Sequence, residues 1–526
     1  MYKLCSCSWW EADDCVNDSV HNIEGLAALE RTGSMIYLEI GYNGNKHDED
    51  VMNLHNRGVC TVTTTVVIGG GITGLSTLYY LQKELNRHQQ DMELVLIEAS
   101  ETLGGKIRTV QNGEFIMETG ADSIVSRKTN VAPLLEELQL TDQVVYNATG
   151  TSFIYTAAGL KRIPDESVFG IPLSLKSLAE SELVSAEGKV EALKDYYTPN
   201  ETFTKDDSLG EFLEAFLGKE IVQNQIAPVI SGVYSGELHD LTIASTFPYL
   251  LEYKNEHGSI MGGLAEHKQK FLGSGNKKFV SFQDGVSVLI DALERTVIQA
   301  GAKIYKGVSA EKLEKMASGY GITLANGEKL EADFVVLSTM GSAAKELLQD
   351  PLLNEDFDQL YTKSLISVYL AYDIQDEELP YDGTGFITAK GTQLKCDACT
   401  WTSRKWEHTS ENKRLLMRLF YKSSNPHYEE FIRLSDEELK QVGMEDISQS
   451  LGIKAEPISC EVTKWHDNMP NYHLKHRQIV ESLEHKMGDL YPNVMLAGCS
   501  YYGVGIPDCI ANGEKTAGLI VERMLG

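Results

Sequence analysis

Apolar residues recur along this chain with two periods, and the switches between them mark its elements. The first clear signal covers residues 62–68, a β-branched run that reads as a buried strand. It breaks into Gly69, Gly70 and Gly71, and Leu75, Leu78, Leu81 and Leu85 then keep the spacing of one helix face. Residues 93–98 form a second apolar run that ends in an acid. Residues 131–140 and 209–217 predict amphipathic helices, the second with Ser208 as N-cap. Residues 232–236, Gly-Val-Tyr-Ser-Gly, read as a turn between helices. A helix follows over 286–299 and a short strand over 303–307. Segments 321–324 and 329–332 flank Asn326-Gly327, a tight-hairpin signal, and 333–338 reads as another buried strand. Segments 365–372, 398–403 and 415–421 predict neighbouring strands of an antiparallel sheet. An apolar run at 493–499 leads through glycines to Pro507, which suits the first position of a helix ending near Met524.

Strands alternating with helices place the chain in the α/β class. The pattern predicts a discontinuous Rossmann-like domain over 62–125, 277–345 and 488–526. A mainly helical domain occupies 126–250, and an α+β substrate domain takes 251–276 and 346–487. Residues 1–61 lack periodicity and read as an atypical, disordered extension.

Composition narrows the function. The chain has 47 basic against 76 acidic residues, a formal charge of −29. That argues against nucleic-acid partners and against tight docking on anionic lipid. Nine cysteines in 526 residues form no disulfide framework and fit a reducing cytosol. No apolar run reaches a membrane span, and the N-terminus lacks signal-peptide and transit-peptide character. Cys5, Cys7 and Cys15 have no second set at metal-binding spacing, so no metal is expected. Cys396 and Cys399 form a C-x-x-C that leads into a strand, not a helix N-terminus, and read as a coincidental pair.

The chemistry sits in the glycine turns. Gly69, Gly71 and Gly74 fill G-x-G-x-x-G between a strand and a helix. The first glycine allows the turn, the second admits a pyrophosphate, and the third lets helix and strand pack closely. Glu98, ending the next strand, is placed for ribose hydroxyls. A second clamp follows at Gly104, Gly105, Lys106 and Arg108, and another small-residue turn at Gly120-Ala121-Asp122-Ser123. A second clamp just after the ribose acid points to the extended FAD rather than NAD. The C-terminal turn Val504-Gly505-Ile506 opens a helix whose positive end would favour negative charge on a reduced flavin.

Three patterns, VVIGGGITGLS, GGKIRT and GVGIPDCI, coincide with SLGEFL, STFP, ACTWTSRKW and WHDNMPNYH between them. From about residue 62 onward the chain resembles the bacterial oxygen-dependent porphyrinogen oxidases of haem biosynthesis, above all the Gram-positive coproporphyrinogen III oxidases. The resemblance implies a monoamine-oxidase-like fold and a soluble or loosely membrane-associated cytoplasmic enzyme. It also implies FAD-dependent oxidation of coproporphyrinogen III to coproporphyrin III, with O2 reduced to H2O2. The implied partners are a porphyrinogen, O2 and, transiently, the next haem-pathway enzyme, with membrane contact at most peripheral.

The implied cofactor residues are Gly69, Gly70, Gly71, Ile72, Thr73 and Gly74, with Glu98, Ala99 and Lys106. Gly120, Ala121, Asp122 and Ser123 approach the flavin, Ala310 the adenine side, and Trp465 the isoalloxazine. Val504, Gly505, Ile506 and Asp508 close the C-terminal side. Ala121 stands where the family usually has proline, and Ala310 where it usually has valine. Lys128 matches a substrate-contact position, and Arg127 lies beside it. His473 and His476 are candidate pocket groups, although lone histidines are more often structural, and no general base is identified because the flavin does the chemistry. Alternatives are a protoporphyrinogen oxidase, another flavoenzyme of the amine-oxidase fold, or a flavin-free binding protein like the GDP-dissociation inhibitors. The intact glycines and Glu98 argue against the last.

Overall fold

Alternate residues of one five-stranded parallel sheet feed two different hydrophobic cores, and this sandwiching organises the molecule. The computed structural model describes residues 62–526 except 127, 235–236 and 273–278; the expectations for residues 1–61 and for Cys5, Cys7 and Cys15 lie outside the described residues. The strands stand in the order Lys303–Tyr305, Met92–Ile97, Thr63–Ile68, Phe334–Leu337, Val494–Leu496, all parallel. Val67, Leu94, Leu96 and Val336 face the helices Ile72–His88, Ser287–Gln299 and Ile506–Leu525. Val66, Val95, Ile97 and Val335 face the opposite way. There they meet the three-stranded sheet from Ala310–Lys315 to Lys329–Ala332 and the helices Gly341–Leu348 and His476–Leu490. Strands buried on both faces read as continuous apolar runs, which is why periodicity found them.

A seven-stranded sheet forms the second layer system, in the order Ser459–Pro470, Thr362–Gln375, Arg414–Lys422, Ala398–Trp401, Gly385–Thr388, Phe153–Thr156, Gly159–Arg162. Its strands pair antiparallel except Gly385–Thr388 with Phe153–Thr156. One face packs under the helix Asp436–Leu451. On the other, Tyr369, Ala371 and Leu416 meet Phe115 and Met117 of the hairpin Thr109–Asn112/Phe115–Glu118.

The helices Leu175–Glu180 through Lys268–Leu272 share a third core built on Phe212, Leu213, Phe216 and Ile260. Ser208 caps Leu209–Leu217 as expected, its Oγ accepting from the Glu211 N–H. Other expectations need correction. The helical stretch begins and ends later than 126–250, since 153–162 pairs into the large sheet and helices continue through Pro248–His257 and Ile260–Glu266. The helix expected over 131–140 is confined to Ala132–Glu137, because Gln139 takes a left-handed φ of +59°. No turn forms at Gly232–Tyr234: the helix Ala227–Tyr234 runs through it, and 235–236 lie outside the described residues. The strand expected over 398–403 stops at Trp401, where Thr402–Lys405 coils into one helical turn.

Candidate active site

All five parallel strands deliver residues after their C-terminal ends to one cavity of about 790 Å³, the edge strand Lys303–Tyr305 through Ser309. Gly69 and Gly71 come from the first strand in sequence, Glu98 from the second, Ser338 and Met340 from Phe334–Leu337, and Gly498 and Cys499 from Val494–Leu496. A crevice at the carboxyl ends of an open parallel sheet is where such folds bind ligands. Gly69 adopts φ +107°, and a Cβ on Gly74 would sit 2.1 Å from the Gly69 carbonyl oxygen, so helix and turn close only without side chains. A Cβ on Gly71 would meet no atom within 4 Å, because this residue faces the open cavity. The helix Ile72–His88 starts there without a side-chain cap, which leaves its first N–H groups for an anion. Ile72 and Thr73, on that first turn, also line the cavity.

Glu98 is fixed by the backbone. Its Oε2 accepts from the Gly70 N–H at 2.7 Å and its Oε1 from the Ser100 N–H at 2.8 Å. Each oxygen keeps a further lone pair for a hydroxyl donor. Ala99 and Ala310 continue this rim. The second clamp is tied to the first, the Gly104 N–H donating to the Gly70 carbonyl at 2.9 Å. Lys106 projects its Nζ between Met340 Sδ at 3.2 Å and Cys499 Sγ at 3.5 Å. Sulfur is a weak acceptor, and among the described residues no carboxylate pairs with this ammonium. A cation lining a cavity beside an uncapped helix N-terminus suits a diphosphate.

The turn after Glu118 forms the next wall. A Cβ on Gly120 would sit 1.9 Å from the Lys106 carbonyl oxygen, which accepts from the Ala121 N–H at 2.9 Å. Ala121 lines the cavity, whereas Gly120, Asp122 and Ser123 brace the turn from behind. Lys405 Nζ donates to Asp122 at 2.6 Å and holds that carboxyl well below the usual range against the cost of burial. Trp465 lines the cavity, and its Nε1 donates to the Thr119 carbonyl at 2.8 Å. Val504 and Ile506 close the far side, and Gly505 is the N-cap of the C-terminal helix. Asp508, in that helix's first turn, takes an ion pair from Lys128 and does not line the cavity; Arg127 lies outside the described residues.

The sequence model of the flavin-containing amine oxidoreductases matches residues 72–521. The chain belongs to that family. It is 34% identical to the coproporphyrinogen III oxidase of Bacillus subtilis (strain 168), over 85% of this chain and 96% of that protein. It is 31% identical to the coproporphyrinogen III oxidase of Staphylococcus aureus (strain NCTC 8325 / PS 47), over 88% of this chain and 99% of that one. Among solved structures, a provisionally assigned protoporphyrinogen oxidase from Exiguobacterium sp. 255-15 superposes with a TM-score of 0.79 at 30% identity, covering 88% of this chain and 99% of that one. The protein is therefore an oxidoreductase of the flavin amine-oxidase type, and the cavity's donors fit the family's flavin nucleotide. The uncapped helix start and Lys106 suit phosphates, and the fixed Glu98 suits hydroxyls.

Sequence reasoning missed other parts of the site. Ser338, Thr339 and Met340 line the cavity, and their position just after a buried parallel strand was the available signal. Asn468 lines it too, brought there by a bulge between Lys363 and Leu365, opposite which Asp467 takes φ +43°. His473 and His476 do not line the cavity. His476 stacks on Tyr472 at 3.9 Å, and burial pushes its imidazole down to about 4. Tyr472 donates to the Cys499 carbonyl at 2.7 Å and accepts from the Gly503 N–H, so this pair buttresses the C-terminal turn. Cys396 and Cys399 are free, buried thiols whose ionisation burial opposes, and neither lines the cavity.

Proposed function

We propose that this flavoprotein binds FAD in the cavity and oxidises coproporphyrinogen III to coproporphyrin III in haem biosynthesis, with O2 as oxidant and H2O2 as product. The observation that carries the cofactor assignment is the lone ammonium of Lys106 beside an uncapped helix start, with Glu98 fixed on the same rim. The relatives from Bacillus and Staphylococcus carry the substrate assignment. Bound there, FAD supplies the two-electron acceptor for each dehydrogenation. The chain's own residues bind, orient and shield. Lys106 and the first turn of Ile72–His88 neutralise the diphosphate, and Glu98 accepts from ribose hydroxyls. Ala121, Trp465, Val504 and Ile506 wall the reacting end and limit water there. Coproporphyrinogen carries four propionates, so an acidic protein needs local cations. Lys128 meets one by exchanging its bond to Asp508 for a substrate carboxylate. Aromatisation drives the overall reaction, so the protein has mainly to orient the macrocycle.

The reading places the enzyme in the cytoplasm, with its five described cysteines all free. Among the described residues no helix is long and apolar enough to cross a membrane. A second reading, a protoporphyrinogen oxidase, is favoured by the Exiguobacterium relative. The test supplies each porphyrinogen to the purified protein in air and follows porphyrin fluorescence and peroxide together. A higher kcat/KM on coproporphyrinogen is expected, and a higher one on protoporphyrinogen selects the second reading. Neither substrate turning over above autoxidation overturns both.

A further inference from the structure

Arg418 stands in the middle of Arg414–Lys422, between Met417 and Leu419, and is itself only 4% exposed. A buried guanidinium is costly unless it is paired. Among the described residues no carboxylate lies within ion-pair distance of it. Its donors go instead to main-chain oxygens of the turn before the cavity: Nη2 to the Thr119 carbonyl at 2.9 Å, and Nη1 and Nη2 to the Gly120 carbonyl at 3.1 Å each. Nε donates to Ser367 Oγ at 2.8 Å, and the rings of Phe420 and Tyr369 flank the cation at 4.6 and 5.2 Å.

The Thr119 carbonyl is also the acceptor for the Trp465 indole. One oxygen thus anchors two walls of the cavity that come from distant parts of the chain. Ala121 is carried by the turn, and Trp465 by the edge strand Ser459–Pro470. We propose that Arg418 is a positioning residue for the flavin site, setting the separation between the Ala121 turn and the Trp465 indole and holding a fixed positive charge behind that wall. Lysine cannot reproduce it, because one ammonium lacks the planar fork that grips two successive carbonyls while bonding Ser367.

The proposal rests on the flavin reading of the cavity, and the wild-type spectrum tests that reading separately: a wild-type protein that binds no flavin removes both. With flavin bound, Arg418→Ala and Arg418→Lys are compared with wild type by visible flavin spectrum, flavin reduction potential, kcat and KM. We expect kcat to fall about 10–100-fold in Arg418→Ala, the scale on which misplaced groups cost rate, with a smaller change in KM. The flavin band should shift, and the potential should become more negative as a nearby positive charge is lost. Added free guanidinium should restore part of the band and of kcat in Arg418→Ala and leave wild type unchanged. The spectral and potential measurements hold even if the substrate is not a porphyrinogen. Arg418→Lys retaining wild-type spectrum, potential and kcat overturns the proposal. So does an Arg418→Ala protein whose losses track only the fraction unfolded and do not respond to guanidinium.

Discussion

At the scale of single residues, Glu98 shows how a carboxylate can be fixed without a cation. Two backbone N–H groups hold its two oxygens, one from the dinucleotide turn and one from two residues ahead. Its orientation is set before any ligand arrives, so little ordering entropy is left for binding. Hydrogen bonds to a charged acceptor contribute about 1.5–3 kcal/mol. Glu98→Ala should therefore weaken FAD binding about 10–100-fold, read from flavin fluorescence during titration of the apoprotein. An unchanged dissociation constant would remove Glu98 from the ribose site.

At the scale of elements, the hairpin Thr109–Asn112/Phe115–Glu118 joins the two sheets. Thr109 and Ser287 exchange hydrogen bonds, tying the hairpin to the start of the helix Ser287–Gln299. Glu118 completes the junction, accepting from the Val286 N–H at 2.7 Å and Thr109 Oγ1 at 2.9 Å. Burial pushes its carboxyl up from 4.5 to about 7, against those two hydrogen bonds. A raised carboxyl pKa means that the folded state binds the proton more tightly. Stability from this group is full below about pH 4.5, falls as pH rises towards 7, and stays lost above it. At about 1.4 kcal/mol per unit the loss is roughly 3 kcal/mol. The melting temperature of Glu118→Gln relative to wild type should accordingly rise between pH 5 and pH 8. Parallel curves for the two proteins would refute this.

At the scale of the whole molecule, the helical block carries its own polar centre. Lys254 and Asp195 form an ion pair whose side chains are both 0% exposed. Lys254 also donates to the Asp195 and Gly258 carbonyls, and Asp195 accepts from Ser259, Ile260 and Met261. The pair thus ties Leu193–Tyr196 to the turn between Pro248–His257 and Ile260–Glu266. Breaking a buried pair from one side costs about 3–5 kcal/mol. Lys254→Met should give a lower calorimetric transition while flavin content stays at the wild-type level, since neither residue lines the cavity. An unchanged transition would show that the pair contributes no net stability.

The sequence by itself determined the cofactor frame. Residues 62–98 specify strand, glycine turn, helix, strand and acid through local geometry: β-branched runs, glycines where a Cβ has no room, and a carboxylate one strand away. Family membership was legible for the same reason, because short motifs record close approaches between backbone segments. Tertiary structure alone decided what stands behind the site. Arg418 lies in an apolar run, LLMRLFYK, and only the packing of that strand on the hairpin brings its guanidinium to Thr119 and Gly120, almost 300 residues earlier in the chain. Asn468 needed a bulge, and the Lys128–Asp508 pair a contact between residues 380 positions apart in the chain. The extent of the helical block was hidden too, because Phe153–Thr156 looks like any short strand until its partner, more than 200 residues away, is known. Local periodicity encodes which face of an element is apolar; it does not encode which distant element covers that face. The glycine turn at Gly69 is therefore legible in local sequence, and the Arg418 grip on the turn that carries Ala121 is not.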